Sequence, residues 1–179
     1  MSQSTLLKDA VELFLLDVQS SGRSRETTIF YRRQLKPFLA WLAASDNPPI
    51  HLHELAADHF RRYLLYRQQR VKASTVHASA RAIRAFCNYC TRDGLLDASP
   101  FAAVTMPRLP RPLPEALSEA DLRQLVRACH LERDKAILYF LADSGMRAFE
   151  LTALNVVDVD LTTGAVTVQY GKGAKGRVT

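Results

Sequence analysis

Five of the eight prolines in this 179-residue chain fall between residues 99 and 122, in SPFAAVTMPRLPRPLPEALSEADL. Pro100, Pro107, Pro110, Pro112 and Pro114 each fix φ and remove a backbone donor, so neither a helix nor an inner strand runs easily through the segment. A stiff, extended connection is expected there, dividing the chain in two. We place a first domain over residues 1–98, a linker over residues 99–117 and a second domain over residues 118–179. The length suits one ordinary domain or two small ones. Apolar residues, 47% of the chain, suffice for a core.

Before the linker the apolar pattern is helical. STLLKDAVELFLLDVQSSG carries a stripe of Leu6, Leu7, Ala10, Val11, Phe14 and Leu15, ended by Gly22. SRETTIFYRRQLKPFLAWLAAS repeats it with Tyr31, Leu35, Phe38, Leu39 and Leu42. Ser24 is placed to cap this second helix, and Pro37 should bend it or mark an irregularity. ADHFRRYLLYRQQR reads as a third helix with Asp58 as a possible cap. A fourth starts near Ser74, turns Val76, Ala80, Ile83, Cys87 and Cys90 inward, and ends at Gly94. Four to five helices in about 100 residues make a small bundle. After the linker, Ser118 and Asp121 have the spacing of a capping box. ERDKAILYFLADSG is the next helix and RAFELTAL begins another. The period then changes: GAVTVQYGKGAKGRVT alternates, with glycines at 171, 173 and 176, and reads as a strand, a turn and the start of a second strand. The fold class is therefore mainly α, with α+β elements at the end.

The net charge of +6 is unevenly spread. Residues 1–110 hold 15 Lys and Arg against 9 Asp and Glu, whereas residues 111–179 hold 9 of each. A basic part beside a neutral one suggests a polyanionic partner, most often nucleic acid. Opposite the apolar stripe of the second helix lie Arg32, Arg33 and Lys36. Opposite that of the fourth lie His77, Arg81 and Arg84. Arg25, Thr27, Lys72 and Thr75 sit near helix starts. Such a set suits contacts to DNA phosphates, which position a protein without reading sequence; each residue alone could equally be a solvated side chain. No run of about 18 apolar residues exists, so no membrane span is expected. The first 21 residues carry Lys8, Asp9, Glu12 and Asp17 through their apolar part, unlike a signal peptide, and a cytoplasmic location is expected. Cys87 and Cys90 form C-x-x-C but lie on one helix face with no second pair, so a packed helix face is expected rather than a redox or zinc site.

The run AILYFLADSGMRAFELTAL is apolar almost throughout, yet holds Arg147 and Glu150. Gly145 breaks one helix and the next starts at once, which puts Arg147 at a helix start where unpaired N–H groups gather. An anion such as phosphate would satisfy both the guanidinium and those N–H groups. The alternative is a plain Arg147–Glu150 pair. In YGKGAKGRV, Lys172 lies at a hairpin tip between glycines; it is either a ligand-facing lysine or a solvated basic turn. The P-loop pattern is not matched.

SGMRAFEL followed by GKGAKGR, behind a basic helical domain and a linker, resembles the tyrosine recombinases of the phage integrase family, especially the Xer-type recombinases. That family's first box reads roughly T-G-x-R-x-x-E-L, with Ser144 here at the threonine, and its hairpin reads G-K-G-x-K-x-R. The resemblance implies a SAM-like core-binding domain followed by the start of a catalytic domain. It implies double-stranded DNA as substrate, other recombinase protomers as partners, and neither metal nor cofactor. A tyrosine attacks the scissile phosphate to form a 3′-phosphotyrosine link. Arg147 would be a clamp arginine, Lys172 the general acid on the leaving 5′-oxygen, and Glu150 the support that orients Arg147. The family's H-x-x-R box and nucleophilic tyrosine follow the hairpin. Here HFRR (59–62) and HLER (130–133) precede Arg147 and are read as chance, and none of the six tyrosines follows the hairpin. The chain is expected to be the N-terminal part of a recombinase, inactive in cleavage by itself. A truncated module that occupies recombination sites, or a helical protein binding a small phosphorylated ligand, are the alternatives.

Overall fold

The computed structural model describes residues 5–110, 116–169 and 176–179. It is mainly helical, with one two-stranded sheet, and its internal contacts divide it into two units, Met1–Pro112 and Leu113–Thr179.

The first unit is a bundle of α1 (Leu7–Ser20), α2 (Arg25–Ala43), α3 (Ala57–Gln68) and α4 (Ala73–Arg92), with a 3-10 turn at Leu52–Glu54. Ser24 caps α2, accepting from the Thr27 N–H at 3.3 Å. Helix α2 continues through Pro37 as one element, although Pro37 has no N–H to give to the ladder. Asp58 is not the cap of α3: it lies inside the helix and pairs with Arg62 at 2.7 Å, while the Ala56 N–H donates to His59 Nδ1 at 3.1 Å. The imidazole competes for that N–H because it sits three residues into the helix, as a capping-box side chain does.

Helix α4 is the most enclosed element and packs against α1, α2 and α3. Val76, Ala80, Ala82, Ile83, Phe86, Cys87, Tyr89 and Cys90 are all buried. Phe14 of α1 meets Tyr31 and Phe86 edge-on, with centroids 4.9 and 5.9 Å apart. Buried Ser79 donates to Gln34 of α2 at 2.9 Å, fixing how α2 and α4 align. Cys87 and Cys90 are free thiols inside this core. Burial pushes both up, Cys90 to about 12, so neither is a reactive thiolate at neutral pH.

Residues 99–106, read from the sequence as the start of the linker, pack on the bundle. Phe101 is buried against Phe60 with centroids 5.3 Å apart, and Val104 is buried beside it. Arg61 Nη2 donates to Ala103 O at 2.8 Å, and His77 Nδ1 lies 2.9 Å from Pro107 O. Proline prevents regular structure but not burial of the apolar side chains between prolines.

The second unit holds α5 (Glu119–Ala128), α6 (Glu132–Ser144), α7 (Ala148–Thr152), a 3-10 turn at Val156–Asp158, and the antiparallel strands β1 (Thr167–Val168) and β2 (Arg177–Val178). Ser118 and Asp121 form the capping box of α5, with Ser118 Oγ accepting from Asp121 N at 3.2 Å and Asp121 Oδ2 from Ser118 N at 3.0 Å. Gly145 ends α6 at φ +58°, a left-handed conformation that other residues adopt at a cost. The register pairs Thr167 with Val178 and Val168 with Arg177. The core is small: Met146, Val166 and Val168 are buried, with Phe140, Leu141, Leu151, Leu154 and Val159 packed around them. Among the described residues no helix is long and apolar enough to cross a membrane.

Phe86, fully buried on α4 against Phe14, tests the bundle. Phe86→Ala should cost about 3–5 kcal/mol in urea unfolding followed by circular dichroism. A loss below about 1 kcal/mol would show that α4 is not the centre of the core.

Candidate nucleic-acid and phosphate site

Arg147 is the N-cap of α7, with φ −80° and ψ 152°, because Gly145 has just turned the chain out of α6. Its backbone N–H donates to Glu150 Oε2 at 2.7 Å, and its Nη1 donates to Glu150 Oε1 at 2.8 Å. Arg177 of β2 reaches the same carboxylate as a fork, Nη1 to Oε1 at 3.0 Å and Nη2 to Oε2 at 2.8 Å. The Glu150 side chain is 0% exposed, that of Arg147 53% and that of Arg177 37%. One buried negative charge thus sits between two partly exposed positive ones. The surplus charge faces outward on a guanidinium whose backbone and side chain are both tied to Glu150. With α7 only five residues long, that guanidinium, rather than a helix dipole, is what would attract an anion. The Arg147–Glu150 pair considered from the sequence is present, and Arg177 is added to it.

Arg177 is the residue that sequence reasoning left without a role. It ends the string GKGAKGR, and its pairing opposite Val168 places it against Glu150. Gly176 lets the strands close there: a Cβ on it would stand 3.3 Å from Val168 O. Beside β1, buried Asp158 accepts from the Asn155 N–H at 2.9 Å and from Gln169 Nε2. Lys172 and Tyr170 lie outside the described residues.

The residues read as DNA-facing belong to the first unit. Arg25, Arg32, Arg33 and Lys36 are exposed on α2; Lys72 is exposed at the N-cap position of α4, without a side-chain cap bond, and Arg81 and Arg84 are exposed along it. Arg32 and Lys36 are four residues apart and Arg81 and Arg84 three, so each pair shares a helix face. Among the described residues none of these seven cations makes an ion pair, whereas Arg62 and Arg92 are held by Asp58 and Asp17. Thr27 and Thr75 are half-buried, Thr27 within the Ser24 cap. His77 is half-buried, and its Nδ1 is engaged with Pro107 O. No group of three or more His, Cys, Asp or Glu could hold a metal ion among the described residues.

Residues 11–94 match the profile of the phage integrase N-terminal SAM-like domain, and residues 115–179 that of the phage integrase family. Tyrosine recombinase XerD of Pseudomonas aeruginosa is 35% identical over 182 residues, covering 98% of this chain and 60% of that protein. Tyrosine recombinase XerC of Chlamydia trachomatis is 32% identical over 139 residues, covering 74% of this chain and 44% of that one. The chain thus spans about half of the curated relatives it matches. Among solved structures, a lambda integrase dimer bound to a COC′ core site superposes with a TM-score of 0.79 at 14% identity, over 99% of this chain and 49% of that one. The Tn1549 transposon integrase gives 0.65 at 13%, over 95% and 56%. At these identities the structures speak for the fold alone.

The Arg177 fork first, then the Arg147 N–H and guanidinium, hold Glu150 well below the usual carboxylate range, at about 2, against the upward push of burial. A depressed carboxylate stabilises the fold fully above its unfolded value near 4.5, and that contribution fades as pH falls from there through about 2. The stability difference between the wild type and Glu150→Gln should therefore be constant from pH 7 to 5 and shrink steadily below. Thermal unfolding across that range checks it, and a difference independent of pH would show that Glu150 is not the buried anion described.

Proposed function

The chain belongs to the phage integrase family of tyrosine recombinases, and on that footing we propose that it is the DNA-binding part of a site-specific recombinase together with the first elements of its catalytic domain. The observation that carries this is the set of exposed cations on α2 and α4 that have no acidic partner among the described residues. Protein carboxylates that could have neutralised them are placed elsewhere, so phosphates are the natural counter-charge. The partner is double-stranded DNA. Relatives in the fold described as a dimer on a core site and a tetramer on a Holliday junction support other recombinase protomers as further partners. A cytoplasmic location fits a protein that acts on DNA.

In the whole protein the reaction is cleavage and rejoining of DNA through a phosphotyrosine link, with the tyrosine supplied by sequence beyond the hairpin. Arg147 holds two oxygens of the scissile phosphate and offsets the charge that builds there, a planar fork being suited to that geometry. Glu150 keeps Arg147 in place before substrate arrives, so little reorganisation is needed during the reaction. Lys172, a flexible ammonium, donates the proton to the departing 5′-oxygen. This chemistry uses neither metal nor cofactor.

Binding of the full chain to duplex DNA should weaken linearly in log–log salt titration, with a slope of about −0.9 per phosphate neutralised. Arg32→Ala and Arg81→Ala should each reduce that slope by about 1 and weaken all sequences alike, as read by fluorescence anisotropy. Affinity that ignores salt, or two substitutions that leave the slope untouched, would overturn the reading.

A further inference from the structure

We propose that Arg177 is a positioning residue for the phosphate-binding Arg147, acting through the carboxylate of Glu150 that the two share. The inference rests on the reading of Arg147 as a phosphate ligand and adds a residue to which that reading gives no part. Arg147 grips one oxygen of the carboxylate through its fixed backbone N–H and the other only through its own half-exposed side chain, so without a further partner the group can still turn about its last bond with the guanidinium following it. The Arg177 fork takes both oxygens, at 3.0 and 2.8 Å, and so fixes the plane of the group. With the plane fixed, Oε2 faces the Arg147 N–H and Oε1 faces its Nη1. Arg147 is then restrained at two points, main chain and guanidinium.

Arg177 is itself set by register. It pairs with Val168 across the sheet, and the next residue of β1's strand, Gln169, is seated on buried Asp158. Gly176, which stands too close to Val168 O to carry a side chain without movement of its neighbours, keeps the strands together at that point. A line of contacts therefore runs from Asp158 through Gln169, β1, Arg177 and Glu150 to Arg147. Nothing in it touches the phosphate except its last member.

Two measurements on the 179-residue chain test this. In 15N-labelled protein, the Arg147 Nε–H should give a distinct, slowly exchanging signal. Arg177→Ala should broaden or average it while leaving the backbone amides of α5 and α6 in place. Ethylation interference on bound duplex DNA should identify the phosphate lost in Arg147→Ala. Arg177→Ala should lose the same phosphate and no other, with affinity falling roughly tenfold, as for loss of one charged hydrogen bond. The double variant should be no weaker than either single one, and Arg177→Lys should recover part of the effect. If Arg177→Ala keeps both the signal and the phosphate, Arg177 is only a brace of the sheet and the proposal fails. If Arg177→Ala unfolds the unit, Arg177→Lys decides: an intact fold with Arg147 still fully ordered also overturns it. A wild-type chain that binds no DNA refutes the recombinase reading instead, and the Nε–H signal still decides whether Arg177 orders Arg147.

Discussion

A carboxylate buried between two arginines is the constraint on which the second unit is built. Burying a charge costs several kcal/mol unless partners replace its water, and Glu150 is given four such bonds. Their ends lie on different elements: the start of α7 and strand β2. Satisfying Glu150 therefore requires the sheet to have closed in its correct register, because a slip of one residue would turn Arg177 to the other face. The apolar core repeats this logic on a small scale. Met146 immediately precedes Arg147, and Val168 is the strand partner of Arg177, so the ionic contact and the buried cluster share a backbone.

Much of this was legible in the residues. The stripes that define α1, α2 and α4 come from helical periodicity, and the caps at Ser24 and Ser118 come from side chains with one good local use for their oxygens. The Arg147–Glu150 contact was legible too, since a three-residue spacing across a helix start makes it nearly obligatory. Arg177 was not, because it lies 27 residues from Glu150 and its contact depends on strand register, which no local spacing encodes. Asp58 misled because an acid near a helix start is a generic cap signal, whereas α3 starts one residue earlier, at Ala57, and takes Asp58 inside it. The proline-rich stretch misled in the opposite sense, since Phe101 and Val104 were overshadowed by the prolines around them.

The first unit handles its charges differently. Arg62, midway along α3, and Arg92, the last residue of α4, are paired with acids, while Arg32, Arg33 and Lys36 on α2 and Arg81 and Arg84 on α4 are left without them. Surface pairs contribute little to stability, so the unpaired set is cheap to maintain in the absence of a partner. Meanwhile the helices that present it are held in alignment from below by Ser79 and Gln34 and by the aromatic packing around Phe86. Rigid helices carrying flexible, uncommitted side chains keep the spacing of the charges constant while each tip adjusts.

Arg61 and His77 both meet the departing chain at main-chain oxygens, those of Ala103 and Pro107. A carbonyl is present whatever the side chain, so these contacts specify a path and not a vocabulary. Residues 107–110 are therefore open to substitution in the course of evolution, provided that Phe101 keeps its seat against Phe60, Met106 stays on the core and the two grips remain. Sequence drift in that stretch would leave the geometry of the chain's exit unchanged, and divergent relatives could share the same route while spelling it differently.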